Sequence, residues 1–556
     1  MSHRRHHHHH RKHGRREERK KLKCKALHEL ATADTFEYRD NEPNNVEHPE
    51  WGQAGRNLIR AVPSQYADGI SAPAGVDRPS ARVISNEIFA QHEPHPNKKN
   101  ASAIFWLWGQ FLDHDLGLTE EAHPEEHFDI PVPAGDPFFD PDNTGTQVIP
   151  LKRSKWDPAT GTSAENPREQ VNDVSAFIDA SGVYGSDSKR SSWIRSGKDG
   201  LLCHSMGDML PYNDGTMNNA MGKSSAFYVA GDVRANEHLG LIAMHTIWVR
   251  EHNYWAKKLK RHHAELDDEE LYQRARIMVE AEIQAITINE FLPLLLGGSE
   301  VFGTYEGYDP TANPQMRNEF TTAAYRLGHT LVSKPYPRLE ENGHHIAEMD
   351  LMLRGAFFSP WRLTNEGGVD PVIRGLATVV AEEFDGKIID DLRNFLFAPD
   401  GAGPHGSGLD LSALNIQRGR EHGLADYNTT RQAYGLPAVT SFSEVVSNAE
   451  TVAKLERLYG TPDNADLYVL LQVEDHVTLE SGAESMLGPT TMAILGEQAV
   501  RMRAGDRFWY QTRLPKHLLR YVESVRLSEV ILRNTDIDWI QDEVMIAHPR
   551  KDRTCD

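Results

Sequence analysis

Residues 110–115 read Gln-Phe-Leu-Asp-His-Asp, inside the longer run Ser-Ala-Ile-Phe-Trp-Leu-Trp-Gly-Gln-Phe-Leu-Asp-His-Asp-Leu-Gly-Leu at 102–118. The run is apolar nearly all round, the pattern of a helix enclosed by protein on every side. At 3.6 residues per turn Gln110, Asp113 and His114 share one face, while Asp115 points about 100° further round. A buried carboxylate without a partner is costly, so Asp113 and Asp115 each need a hydrogen bond, an ion pair or a metal, in two different environments. Two ordinary readings of His114, a core histidine satisfied by its neighbours and a metal-hydrolase His–Asp pair, leave the carboxylate on each side unexplained.

Outward from this helix the chain is mainly α. Apolar residues recur at three-to-four spacing over 238–262, 269–296 and 315–333, and shorter helices are expected near 370–384, 388–396, 443–458, 464–473 and 490–503. Residues 36–100 and 124–170 are rich in Pro, Asn and Gly and read as long irregular connections. Alternating strand patterns are scarce, and neither a repeat nor a linker divides the chain after residue 36. The expected architecture is one large helical domain over 36–556 with very little β, preceded by a basic, His-rich tail over 1–35 that composition marks as disordered.

A second unusual stretch is Val-Ser-Ala-Phe-Ile-Asp-Ala-Ser-Gly-Val-Tyr-Gly-Ser-Asp at 174–187. Ser175, Phe177, Asp179 and Ser181 recur every second residue, so an extended loop turns their oxygens toward one point. Hard oxygen donors of this kind suit calcium, although Ser and Asp in loops commonly just solvate turns. Coupled to Asp115, the stretch suggests an ion fastening the loop to the helix that carries His114.

The whole chain has 556 residues and a net charge of −21, yet its first 25 residues carry eleven Lys or Arg against two acidic residues. The remaining sequence therefore holds −30, which argues against nucleic acid as a partner of the folded part. Five consecutive histidines at 6–10 resemble a tag. Three cysteines, Cys24, Cys203 and Cys555, cannot build a disulfide framework. No stretch approaches the roughly 20 apolar residues of a membrane span, and the N-terminus shows no apolar export signal. The expected protein is soluble, either secreted or cytoplasmic.

Five stretches in order carry a family resemblance: Gly-Gln-Phe-Leu-Asp-His-Asp at 109–115, Asp-Ala-Ser-Gly-Val-Tyr-Gly-Ser at 179–186, Ala-Gly-Asp-Val-Arg-Ala-Asn-Glu at 230–237, Tyr-Arg-Leu-Gly-His-Thr at 325–330 and Leu-Asn-Ile-Gln-Arg-Gly-Arg-Glu-His-Gly at 414–423. With Pro-Glu-Trp-Gly-Gln-Ala-Gly at 49–55, Met-His-Thr-Ile-Trp-Val-Arg-Glu-His-Asn at 244–253 and Gly-Asp-Arg-Phe-Trp at 505–509, the chain resembles the animal-type haem peroxidases of the peroxidase–cyclooxygenase superfamily over residues 36–535.

The resemblance implies haem b and hydrogen peroxide, with oxidation of iodide, bromide, thiocyanate and small phenolic donors through high-valent iron. It implies His114 as the distal base, Arg234 as the fixed cation beside it and Gln110 next to the distal water and halide. His329 is implied as the iron ligand, Asn415 as the acceptor of its other ring N–H, and Arg326 and Arg418 as propionate partners. Asp113 and Glu237 match the carboxylates that form ester bonds to haem methyl groups. Asp115, Ser175, Phe177, Asp179 and Ser181 match a calcium site.

Departures from the family are informative. His238 stands where some members have a methionine that forms a third haem link, so no sulfonium bond can form and chloride oxidation is less expected. The disulfide set is absent, as in a single-domain, bacterial-type member, and Ser175 replaces a commoner threonine. The superfamily's fatty-acid dioxygenases place a radical-forming tyrosine three residues before the proximal histidine. Here that position is Arg326, and Tyr325 is rotated about 100° away. Dioxygenase activity is the second reading; a haem-free His–Asp hydrolase or a non-catalytic protein is the third.

Overall fold

The computed structural model describes residues 2–40, 42–398 and 408–550, with side chains from residue 14 onward. Among these residues β-structure is confined to isolated bridges and three antiparallel pairs of two-residue strands: Arg56–Asn57 with Val171–Asn172, Ile130–Pro131 with Val148–Ile149, and Pro335–Tyr336 with Leu351–Met352. The rest is helix and irregular chain, as the periodicity predicts. No helix among the described residues is long and apolar enough to cross a membrane.

The helix Ala103–Leu116 runs through the centre, with Ile104, Phe105, Leu107 and Trp108 fully buried. Aromatic packing fixes it against the helix Leu239–His262: the Trp108 and Trp248 rings lie 6.0 Å apart, and Phe111 stacks on Trp248. Burying rings of this size is the largest local contribution to a helical core. The helix Asp268–Ile286, opened by a capping box between Asp267 and Glu270, packs along Leu239–His262 and passes through a wide π turn at Thr287–Phe291 into Leu292–Leu296. The expected 269–296 helix therefore forms with one widened turn.

The expected helix over 315–333 is broken. Asn318–Thr322 stops at Ala323, whose φ −128° and ψ −69° leave the helical region, and a 3₁₀ turn Ala324–Leu327 leads into the single helical turn Gly328–Leu331. Each break re-aims the chain, so Arg326 and His329 are presented from separate short turns. The 370–384 helix ends at Leu376: a Cβ at Gly375 would stand 1.7 Å from the Pro337 carbonyl oxygen, and the chain turns away there. Asp390–Arg393 is all that forms of 388–396.

The disordered-tail expectation is corrected. Ser2–Thr32 is one helix, and its described part docks on the body. Ala26, Leu30 and Ala31 are buried, with Leu22 and Leu27 beside them, a stripe that the high charge of the segment hides from a composition count. The stripe lies against the helix Lys516–Glu523. Glu29 accepts from the Leu518 N–H at 2.8 Å, Lys23 Nζ donates to Tyr254 Oη at 2.7 Å, and Arg274 donates to the Leu30 carbonyl at 2.8 Å. The histidine run at 6–10 and Cys555 lie outside the described side chains, and Cys24 and Cys203 are free thiols.

Candidate active site

The one-face geometry of the central helix places Gln110, Asp113 and His114 along an internal space. Arg234, Glu237, Arg326 and His329 border the same region. All but His114 are only half-buried by surface measure, and each lies among fully buried neighbours. Depth with residual accessibility is the signature of a void inside the protein.

His114 is 4% exposed, and burial first, then the Arg234 charge, hold its imidazole well below the ordinary histidine pKa. Its Nδ1 lies 3.7 Å from Asp232 and makes no hydrogen bond, and its Nε2 has no partner among the described residues. Arg234 is fixed at every nitrogen. Its Nε and one terminal nitrogen donate to the two Asp232 oxygens at 2.8 Å each, the other donates to the Gly117 carbonyl at 2.8 Å, and a further bond reaches the His114 carbonyl at 3.3 Å. Burial opposes ionisation of Asp232, but Arg234 outweighs it and holds the carboxyl well below the usual range.

Asp232 is a residue that sequence reading missed. It sits inside the quoted Ala-Gly-Asp-Val-Arg stretch, but nothing in the spacing of two loop residues says that they form a closed pair. The signal available was that a buried arginine beside a histidine requires a counter-charge.

Asp113 and Glu237 occupy the same wall. Burial raises Asp113 to about 6 against the pull of Arg234 and Arg326, and raises Glu237 to about 7 against Arg234. The Asp113 carboxyl has no hydrogen bond among the described residues. Glu237 accepts one, from Gln110 Nε2 at 2.9 Å. Two buried acids, one with no hydrogen bond to its carboxyl and one with a single bond, are what a site built to bind them to something else would leave.

Burial and then Arg326 lower the His329 imidazole to about 3. Its Nδ1 lies 2.7 Å from the Asn415 amide, whose other contacts are Arg326 at 2.7 Å and the Tyr468 hydroxyl at 3.2 Å. The ring's Nε2 has no partner among the described residues. Tyr468 and Asn415 are brought here by helices far apart in sequence, Leu467–Val473 and Leu411–Glu421. Arg418 donates to the Lys152 carbonyl at 2.8 Å and to buried Glu421 at 3.0 Å. A neutral imidazole at depth with one ring nitrogen held and the other unpartnered can serve as a metal ligand. The free Asp113 carboxyl, the guanidinium of Arg326 and the bare His329 nitrogen together fit an iron porphyrin with anionic side groups.

Asp115 turns away from this space. Its two oxygens accept from the Ala180 N–H at 2.9 Å and the Gly182 N–H at 2.8 Å, so the 174–187 loop is fastened to the central helix by direct hydrogen bonds. Asp179 accepts from Ser175 Oγ at 2.5 Å, and the buried Ser181 Oγ has no partner. Burial and mutual repulsion push Asp115 well up, and burial also raises Asp179. The regular alternation inferred for 175–181 ends at Ala180, which adopts φ +58°, and Ser181 opens the helical turn Ser181–Tyr184. Backbone joins this loop to the Arg234 segment: a Cβ at Gly231 would meet the Ser181 carbonyl oxygen at 2.3 Å.

Among the described residues no three His, Cys, Asp or Glu side chains cluster to hold a metal. Tyr325 is buried, and its hydroxyl donates to the Gly109 carbonyl at 3.0 Å.

Comparison with known proteins identifies the family. Residues 38–545 match the family model "Animal haem peroxidase". The chain is 37% identical over 521 residues to peroxidasin of Drosophila melanogaster, covering 85% of this chain and 33% of the relative, so it spans about a third of that protein's length. The structure of peroxidase A from Dictyostelium discoideum superposes with a TM-score of 0.82 at 33% identity, covering 92% of this chain and 99% of that one. A fatty acid alpha-dioxygenase of Arabidopsis thaliana shares the fold alone, with a TM-score of 0.74 at 19% identity, covering 90% of this chain and 81% of its own. On these grounds the chain belongs to the animal haem peroxidase family.

Proposed function

We propose that this chain is a haem-dependent peroxidase that reduces hydrogen peroxide and oxidises iodide, bromide, thiocyanate and small phenols. The observation that carries the reading is an unpartnered His114 Nε2 beside a guanidinium locked by Asp232, with an unpartnered His329 Nε2 beside Arg326 and the Asp113 carboxyl within reach of both arginine charges. Haem, when bound, supplies an iron that accepts peroxide oxygen and stores two oxidising equivalents.

The protein's own groups do the rest. His114 is held neutral and so is ready to take the peroxide proton at Nε2 and return it to the departing oxygen. Arg234 cannot rotate away from its carbonyl and carboxylate partners, and it offers fixed positive charge where negative charge builds as the O–O bond lengthens. His329 Nε2 is assigned as the atom that would hold the iron. In the structure Arg326 holds Asn415 Oδ1 and the amide NH₂ faces Nδ1; iron at Nε2 would put the ring proton on Nδ1, so the Asn415 amide would have to turn over to accept it, releasing Arg326. Arg326 and Arg418 are assigned to the porphyrin's acidic side groups.

Asp113 and Glu237 are assigned to ester links with haem methyl groups. Esterification would discharge two acids that burial already disfavours as anions. A calcium ion is assigned to Asp115, Asp179, Ser175, Ser181 and the Phe177 carbonyl, because two mutually repelling buried carboxylates and an orphaned hydroxyl are relieved together by a hard cation.

The test has two parts. Purified protein from haem-supplied cells should show a Soret band, and peroxide should drive bromide oxidation. Absence of the band removes the proposal. Oxygen uptake with an unsaturated fatty acid, without halide oxidation, would replace it with the dioxygenase reading, against which the tethered Tyr325 hydroxyl counts.

A further inference from the structure

His238 follows Glu237 directly and is buried, yet the mechanism above does not use it. It lies in a chain of short hydrogen bonds: Tyr336 Oη to His238 Nδ1 at 2.6 Å, His238 Nε2 to Gln110 Oε1 at 2.7 Å, and Gln110 Nε2 to Glu237 at 2.9 Å. The Trp106 ring, 5.7 Å from the imidazole, helps to wall the chain off.

The direction of every link is determined by chemistry. The Gly240 N–H can only donate, and it points at Tyr336 Oη from 2.6 Å. The Leu241 N–H also only donates, and it points at His238 Nδ1 from 3.4 Å. Nδ1 is therefore the bare nitrogen, the phenol donates to it, and the imidazole proton sits on Nε2. A donor at Nε2 requires an oxygen opposite, so Gln110 must turn Oε1 to His238 and its NH₂ group to Glu237. The second N–H of Gln110 has no partner among the described residues, and Gln110 borders the internal space.

We propose that His238 and Tyr336 are positioning residues that lock the Gln110 amide, so that it offers a hydrogen-bond donor to small anions beside His114 and keeps Glu237 an acceptor. Without them the amide is free to turn over and present an oxygen, which repels an anion instead of binding it. The inference rests on the peroxidase reading and adds residues at the positions of His238 and Tyr336 to its anion specificity.

The test is a titration of the ferric holoenzyme with thiocyanate, followed by the Soret shift. His238→Leu removes the donor to Gln110 at similar volume, and the dissociation constant should rise about three- to tenfold, the worth of one such bond. His238→Gln puts an N–H back near the Nε2 position and should restore most of the affinity. Denaturing mass spectrometry of the same samples reports haem attached to the peptide carrying Glu237, which should fall in His238→Leu relative to the peptide carrying Asp113. If His238→Leu does not fold with haem, Tyr336→Phe, which keeps the ring and removes the phenol, should shift affinity in the same direction. Unchanged thiocyanate affinity and an unchanged attachment ratio in a haem-loaded variant overturn the proposal while leaving the peroxidase reading intact. A wild-type protein without a Soret band overturns both.

Discussion

Replacing Asp232 by Asn should be the most informative single change at this site, because it keeps shape and removes one charge. Asp232 makes two charge-assisted bonds to the Arg234 side chain and accepts from the Arg234 backbone N–H at 2.8 Å. An amide can keep about half of that set, and the guanidinium is left without its counter-charge. Breaking a buried pair this way costs about 3 kcal/mol. At roughly 2.1 cal/mol/K of unfolding entropy per residue, a domain of this size should lose about 3 °C of Tm.

The kinetic effect should be larger. A guanidinium that is free to swing no longer offers fixed charge to peroxide, and removing such a preorganised group costs about 100-fold or more in rate. The Asp232 charge is also what raises the basicity of His114 against burial and Arg234. Without it the imidazole is a weaker base and stays unprotonated to lower pH, so the acid limb of the peroxide reaction should move downward. Stopped-flow spectroscopy at several pH values, with calorimetry on the same samples, measures all three effects. A variant with wild-type rate, wild-type acid limb and unchanged Tm would show that Asp232 and Arg234 are a structural pair only.

His114→Ala should retain the Soret band and slow the reaction with peroxide at least ~100-fold in stopped flow. Asp115→Ala should lose bound calcium by elemental analysis and lower Tm together, since a cation bound only by the folded state stabilises it. For the haem-free protein the sign of the pH dependence follows from Asp113 near 6 and Glu237 near 7, both raised by burial. Stability from these groups is full below their ordinary pKa values and is lost as pH rises through the raised ones. Glu237→Gln should therefore flatten the fall in Tm between about pH 4.5 and 7; a wild-type slope in that variant would rule the assignment out. His329→Leu should abolish haem retention on gel filtration, and a variant that keeps haem at wild-type stoichiometry would move the iron ligand elsewhere.

Much of this molecule could be read from its residues, and the failures have a common cause. The central helix, its buried character and the shared face of Gln110, Asp113 and His114 follow from periodicity, because a helix reports its own geometry locally. The separate destinies of Asp113 and Asp115 were likewise visible as a 100° rotation. Arg326 and His329 were singled out through motif resemblance, but their presentation from two broken turns was not, since the break at Ala323 falls inside a run whose apolar spacing reads as one continuous helix. Asp232, Tyr336 and Tyr468 escaped because their partners are set by folding: Tyr336 reaches His238 across 98 positions of chain. The docked helix before residue 33 escaped because charge swamped a stripe of five apolar residues.

The close approach of Gly231 to Ser181 carries a practical consequence. With no room for even a methyl group between them, the strap around the assigned cation and the segment bearing the guanidinium form one stiff piece, and slack introduced at either end is transmitted to the other. Buffers containing strong chelators would then blunt turnover in preparations that still look fully pigmented, and a colour ratio alone would overstate the fraction of competent enzyme.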